Sequence, residues 1–385
     1  MLEFRPHPSV QGLQLKQVEL REIELPLRNA FRTSFGVTTR RRVIVVRVVD
    51  RNGVAGFGEC TAMEQPFYNP DTVDSSWAII TGTIVPILRS NGISNASDVG
   101  PALSAIKGNR MAIAAVETAI WDLEARSLNK PLSCHLGGTL PEIACGVSIG
   151  LQESREKLVE KVAHELDSGY QRIKIKITPG EDVELVEAVR RQFPDITLSV
   201  DANSAYRLER DLETMLRLDD YGLLMIEQPL VAGDLIDHAK LQRRIKTPIC
   251  LDESITNLRD ARQALEIGAC QIINIKLGRV GGHTEAREIQ RLAKDCDVPV
   301  WCGGMLETGI GRAHNIAMST LDGFTLPGDV SSSDRYWARD IIRPGVEVSS
   351  AGTISVPTTP GIGYEVDEKY IEELTTRTEV LAIGE

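Results

Sequence analysis

Five charged residues recur along the middle of the chain at an almost constant interval. They are Lys176, Asp201, Glu227, Asp252 and Lys276, with steps of 25, 26, 25 and 24 between their residue numbers. Each closes a short apolar run and is followed by a charged segment with helical spacing. The interval predicts one βα unit, repeated, with its polar residues all at the C-terminal end of a parallel strand. Surface charges scattered independently would have no reason to keep this register, although any one acid after a strand, taken alone, reads as a helix cap or a solvated loop charge.

The series extends in both directions. Ser148 precedes it by 28 positions and Cys302 follows it by 26, so Ser148 marks the first strand and Lys276 the sixth. The strands read as "IACGVSIG", "RIKIKI", "ITLSVDAN", "LLMIEQP", "PICLDES", "CQIINIKLG", "PVWCGG" and, weakly, "GFTLPGD". Eight units predict an α/β fold of TIM-type (β/α) barrel class over about residues 136–330, with its site at the C-terminal face.

In a ring of eight strands the second and sixth lie opposite each other, so Lys176 and Lys276 face across the mouth. Asp201, Glu227 and Asp252 fill the wall between. Three converging carboxylates repel one another unless a cation neutralises them. Oxygen ligands alone, with no His or Cys among them, favour a hard ion: Mg²⁺ first, Mn²⁺ as a substitute. Such an ion leaves positions for a substrate carboxylate and stabilises the enediolate formed when the α-proton is removed. The base for that step is an amine, neutral near pH 7. Lys174 and Lys176 alternate with Ile173, Ile175 and Ile177, which sends both ammonium groups to one strand face. Their crowding is expected to lower a lysine pKa toward the working range.

About residues 1–135 read as a separate α+β domain. "RRVIVVRVVDRNGVAGFGEC" is a hairpin turning at Asn52-Gly53, and "NRMAIAAVETAIWDLEARSLN" is a helix ending before Lys130-Pro131. "FRTSFGVTTR" and "TAMEQPFYNPDT" are too irregular to assign but suit the covering of a pocket. With 43 Lys+Arg against 54 Asp+Glu, no basic field invites nucleic acid or an anionic membrane. The N-terminus lacks a secretory core and no run approaches a membrane span, so a cytoplasmic protein acting on small molecules is expected. Seven scattered cysteines without a C-x-x-C pair read as free thiols.

"CGGMLETGIGRAHN" matches neither G-x-G-x-x-G nor a P-loop. Gly303 and Gly304 are expected to let substrate approach the backbone. Met305 reads as a substrate contact or a core residue, and Ser148 as floor lining or packing.

"KIK" at 174–176, "DAN" at 201–203, "EQP" at 227–229, "DES" at 252–254 and "NIKLGRVGG" at 274–282 resemble the enolase superfamily, in its muconate cycloisomerase-like branch. "WCGGMLETGIGRAHN" with "FTLPGDVSSSDRYW" resembles the o-succinylbenzoate synthases that also act as N-succinylamino acid (N-acylamino acid) racemases. The resemblance implies a modified, enolase-like barrel under an N-terminal capping domain. Loops near Phe31–Phe35 and Ala62–Tyr68 would close over a small-molecule carboxylate, and a C-terminal segment, 331–385, would return to the cap. It implies that Asp201, Glu227 and Asp252 bind Mg²⁺ and that Lys176 and Lys276 are the acid/base pair. Lys174 would assist, Asn203 and Glu253 would support the ligands, and a homo-oligomer is expected. Alternatives on the same scaffold are cycloisomerisation and dipeptide epimerisation; a non-catalytic barrel would be expected to have lost a ligand or a lysine, and none is missing.

Overall fold

The computed structural model describes residues 12–33 and 36–384. The reading of residues 1–11 as lacking a secretory core, and the cap-loop positions 34 and 35, lie outside the described residues.

The cap begins with a long antiparallel hairpin, β1 (Leu15–Thr33) and β2 (Gly36–Asp50), followed by β3 (Ala55–Cys60). The turn between β2 and β3 falls where Asn52-Gly53 predicts it. Asp50 Oδ1 accepts the backbone N–H groups of Asn52 and Val54, and Gly53 adopts φ +84°. "FRTSFGVTTR" is more regular than expected: Phe31 pairs with Thr38 at the far end of the hairpin, beyond a shift in register after Pro26. The helix Arg110–Ser127 crosses β3 closely enough that a Cβ on Gly58 would stand 2.1 Å from Ala115 O, and one on Gly56 2.3 Å from Ala119 O. Those two glycines let helix and sheet backbones touch.

The barrel chain follows: β4 (Glu142–Ala144), β5 (Gly146–Ile149), β6 (Arg172–Lys176), β7 (Leu198–Asp201), β8 (Ile226–Glu227), β9 (Ile249–Leu251), β10 (Ile272–Ile275) and β11 (Val300–Cys302). Strands β5 to β11 form one parallel sheet in sequence order. Seven strands therefore stand where eight were expected. The eighth is reduced to two isolated parallel bridges, Val300 with Phe324 and Cys145 with Gly328, which join both edges of the curled sheet to one short segment. Pro327 within that segment has no N–H to give a ladder. The expected first strand also divides, its leading part β4 pairing elsewhere.

The remaining strands are β12 (Ile342–Arg343), β13 (Thr353–Ser355), β14 (Glu365–Val366) and β15 (Thr375–Ala382). β13 pairs with β4, β12 with β14, and β15 lies antiparallel to β1, so the tail of the chain completes the cap's sheet.

Two buried glutamates fasten cap to barrel. Glu59 on β3 accepts the N–H groups of Thr308 and Gly311 at the start of the helix Gly309–Ser319. Glu117 does the same for His283 and Thr284 at the start of His283–Asp295. Each meets the positive end of a helix. Burial nonetheless pushes both carboxyls up to about 7. All seven cysteines are free thiols, and among the described residues no helix is long and apolar enough to cross a membrane.

Candidate active site

The strand β6 places Lys174 and Lys176 on the inner face and Ile173 and Ile175 in the core. Lys174 is buried. Its Nζ lies 2.6 Å from Glu227 Oε2, 2.7 Å from Asp329 Oδ2 and 3.5 Å from Asp201 Oδ2, over the ring of Trp301. Lys176 Nζ donates to Asp201 Oδ2 at 2.6 Å and to Asn203 Oδ1. In the register of the sheet Lys176 pairs with Asp201, and Asp201 with Glu227, so successive strands deliver these groups side by side.

On the other flank, Lys276 follows β10 and its Nζ lies 2.8 Å from Asp252 Oδ2. Arg279, three residues on, is also buried and pairs with the other oxygen of Asp252. Tyr68 reaches down from the cap loop, donating to Asp252 Oδ1 at 2.9 Å.

At Lys174 the neighbouring acids, not the crowding of lysines, decide the charge. Burial opposes the charged form of Lys174, but Asp329, Glu227 and Asp201 outweigh it and hold the ammonium above the ordinary lysine range. Lys276 is raised too: burial opposes its charge, and Tyr68, Glu227, Glu253 and Asp201 prevail. Asp201 is held at about 2, because Lys176 and Lys174 overcome its burial. Carboxylates stand between the cations and neutralise them.

As they stand, the acids face ammonium groups, and among the described residues no set of three or more acidic, His or Cys side chains is converged on an ion. The donor set nevertheless fits a hard cation. Asp201 and Glu227 end β7 and β8, Asp252 directly follows β9 beside them, and all three offer only oxygen. Two further buried oxygens beside them, Glu253 Oε2 and Asn274 Oδ1, have no hydrogen-bond donor. Orphaned acceptors next to a carboxylate cluster suit a divalent ion or its water ligands.

A cavity of about 100 Å³ opens on this cluster. It brings together Ser148, Lys174, Lys176, Asp201, Asn203, Lys276, Gly304 and Met305, with Phe31, Met63 and Tyr68 supplied by the cap. Glu227 and Asp252 lie fully buried outside its lining. Glu253 accepts from Asn203 Nδ2 at 2.9 Å and lines a separate outer groove. Gly303 has a different neighbourhood from the one expected: a Cβ there would stand 2.3 Å from Asn274 Oδ1 and 2.6 Å from Lys276 Cε. Its missing side chain makes room for Lys276, and it does not line the cavity.

The sequence reading passed over Tyr68 as an individual residue, Asn274, Arg279, Asp329 and Gln228. Asp329 follows Cys302 by 27 positions, so the βα interval itself could have found it. Gln228 Oε1 accepts the N–H groups of Asp252 and Ser254 and so pins the turn that carries Asp252. Asn203, Ser204, Gln228 and Leu306, all non-glycine, have positive φ in the loops beyond β7, β8 and β11. Unfavourable backbone is thus gathered at the mouth, where strained residues in enzymes cluster.

Residues 16–137 match the model of the mandelate racemase / muconate lactonizing enzyme N-terminal domain, and residues 157–370 that of the enolase C-terminal domain-like family. An o-succinylbenzoate synthase from Geobacillus stearothermophilus is 50% identical over 94% of this chain and 96% of its own length. An N-succinylamino acid racemase from Amycolatopsis is 46% identical over 94% and 98%. A solved enolase-superfamily structure from Listeria innocua superposes with a TM-score of 0.93 at 42% identity, covering 96% of this chain and all of its own. Two matched domains, a lysine on each flank of a carboxylate cluster and whole-length relatives agree: the chain belongs to the enolase superfamily, in its mandelate racemase / muconate lactonizing enzyme group.

Proposed function

We propose that this enzyme removes the proton α to a carboxylate in a Mg²⁺-dependent reaction, and that its principal activity is o-succinylbenzoate synthesis, with N-succinylamino acid racemisation on the same site. One observation carries the reading: Lys176 and Lys276 line a single cavity from strands β6 and β10, four places apart in the curled sheet, with Asp201, Glu227 and Asp252 on the strands between. Those three acids would hold the ion, which Mn²⁺ could replace. When bound, it supplies positive charge to the substrate carboxylate as the α-proton leaves.

In the synthase reaction Lys176 takes the α-proton and then returns a proton to the departing hydroxyl, which leaves as water from the same face. Lys276 stays cationic beside the anionic intermediate, in keeping with its raised pKa. Lys174, tied to Glu227 and Asp329, orients the acid beside it. The reading assigns the enzyme to menaquinone biosynthesis, in the cytoplasm and as a homo-oligomer. Racemisation uses the two lysines in turn: one removes the α-proton and the other delivers a proton to the opposite face. The Amycolatopsis relative favours keeping this second activity. Comparing kcat/KM of the purified protein on the synthase substrate and on N-succinylamino acids tests the assignment. Turnover of neither would overturn it, and a clear excess on the amino acids would reverse the order of the two.

A further inference from the structure

Among the described residues, Tyr68 alone lines both the reaction cavity and the large groove of about 1130 Å³ outside it, between the cap and the barrel helices. Its hydroxyl is held by three groups at once: it donates to Asp252 Oδ1 at 2.9 Å and accepts from Lys276 Nζ and Arg279 Nη1, each at 3.2 Å. The ring also lies under the ammonium of Lys276, whose Nζ is 4.7 Å from its centroid. Among the described residues Lys176 has no such partner from the cap: its ammonium is held by Asp201 and Asn203, both from the barrel. The two lysines are therefore supported unequally. Among the described residues one is fixed by the barrel alone, and the other in part by a loop of the cap.

We infer that Tyr68 is a positioning residue for the Lys276 half of the chemistry. The hydroxyl fixes where the flexible lysine stem ends, and it can do so only when the loop carrying it is seated. Chemistry through Lys276 thus depends on a closed cap, whereas chemistry through Lys176 does not. A lysine has four rotatable bonds, and a displacement near an ångström is enough to spoil proton transfer. The inference rests on the two-base reading above and goes beyond it by making the two bases unequal in what they require.

The experiment is hydrogen–deuterium exchange at the α-carbon of each enantiomer of an N-succinylamino acid, in D₂O with Mg²⁺, followed by NMR. Wild type, Tyr68→Phe, Tyr68→Leu and Lys276→Ala are compared. Tyr68→Phe keeps the ring over Lys276 and removes the hydroxyl. It is expected to slow exchange of the enantiomer that Lys276→Ala cannot exchange by about ten- to a hundredfold in kcat, the range for one lost hydrogen bond to a charged group. Exchange of the other enantiomer, which shares only the loss of the Tyr68 bond to Asp252, is expected to fall by a clearly smaller factor, so the ratio of the two kcat values shifts by about tenfold or more. Tyr68→Leu, which also removes the ring, should widen the asymmetry. Equal loss for both enantiomers, or none in either variant, would overturn the inference. Absence of exchange by the wild type would instead overturn the two-base reading itself. Thermal unfolding of each variant identifies general loss of fold, and an equal loss from that cause counts against Tyr68 as a selective support.

Discussion

Asp329 Oδ2 accepts a hydrogen bond from Lys174 Nζ at 2.7 Å, and its other oxygen takes Arg172 Nη2 at the same distance. One acid from the reduced eighth strand thus pairs with two buried cations, and they in turn hold it well below the usual carboxylate range against the effect of its burial. Asp329→Asn keeps the shape and removes the charge. Leaving two interior cations short of a partner is expected to cost about 3–5 kcal/mol, read as a fall in the urea midpoint at pH 7. A midpoint unchanged from wild type would show that the cations have other compensation.

Removing either flanking lysine should separate exchange from inversion. Lys176→Ala and Lys276→Ala are each expected to lose racemisation, yet each should retain α-proton exchange for the enantiomer facing the remaining lysine. Synthase turnover in Lys176→Ala should fall by about 10²–10⁴-fold or more, the usual contribution of general acid–base catalysis. Full racemisation in either variant would rule out the two-base scheme.

Chelation should distinguish metal from scaffold. After treatment with EDTA, the protein is expected to keep its far-UV circular dichroism and lose α-proton exchange, with recovery on adding Mg²⁺ or Mn²⁺. Undiminished exchange after exhaustive chelation would contradict the role given to Asp201, Glu227 and Asp252.

Gly303→Ala places a methyl group where Lys276 Cε and Asn274 Oδ1 now lie. The lysine stem must move while the cavity lining stays as it is. We expect kcat for the lysine-dependent steps to drop on the order of 10²-fold with KM nearly unchanged. A raised KM at unchanged kcat would restore the role first expected for this glycine, that of admitting substrate to the backbone.

Acid should loosen the joint between cap and barrel. His314 Nε2 donates to Phe57 O at 2.8 Å, and its Nδ1 receives His283 Nε2–H at 3.0 Å, while His283 Nδ1 is buried with no partner. Both rings are held neutral, first by burial. His314 and Arg287 reinforce this at His283, and at His314 it prevails over Asp122. Below about pH 6.5 the unfolded chain takes up protons that the folded rings refuse, so their contribution is complete above that pH and is lost as pH falls, by up to about 1.4 kcal/mol per ring per unit. Glu59 and Glu117 act in the opposite sense, since their raised values favour the folded state at low pH and withdraw that support as pH rises toward about 7. The difference between wild type and His283→Gln isolates the His283 ring. Urea midpoints from pH 5 to 8 should show the variant losing less stability on the acid side, and parallel curves would refute the assignment.

The interval that placed Lys176, Asp201, Glu227, Asp252 and Lys276 at one end of a parallel sheet was legible because strand periodicity and βα length are local properties of a sequence. What escaped is non-local. Arg279 sits three residues beyond Lys276, yet nothing in its neighbours shows that it faces Asp252. Tyr68 meets Lys276 only because cap and barrel dock. The electrostatics of Lys174 escaped for the same reason: its strongest partner, Asp329, lies on a segment too weakly strand-like to be placed with assurance. Gly303 looked like a substrate contact because a glycine reports that space is needed and is silent on which group needs it.

The last strand of the chain, β15, pairs with the first. The barrel is in effect an insertion between two parts of the cap. During synthesis the cap's sheet therefore lacks its edge ribbon until the ring beneath it has already emerged, although the loops that cover the mouth are made first.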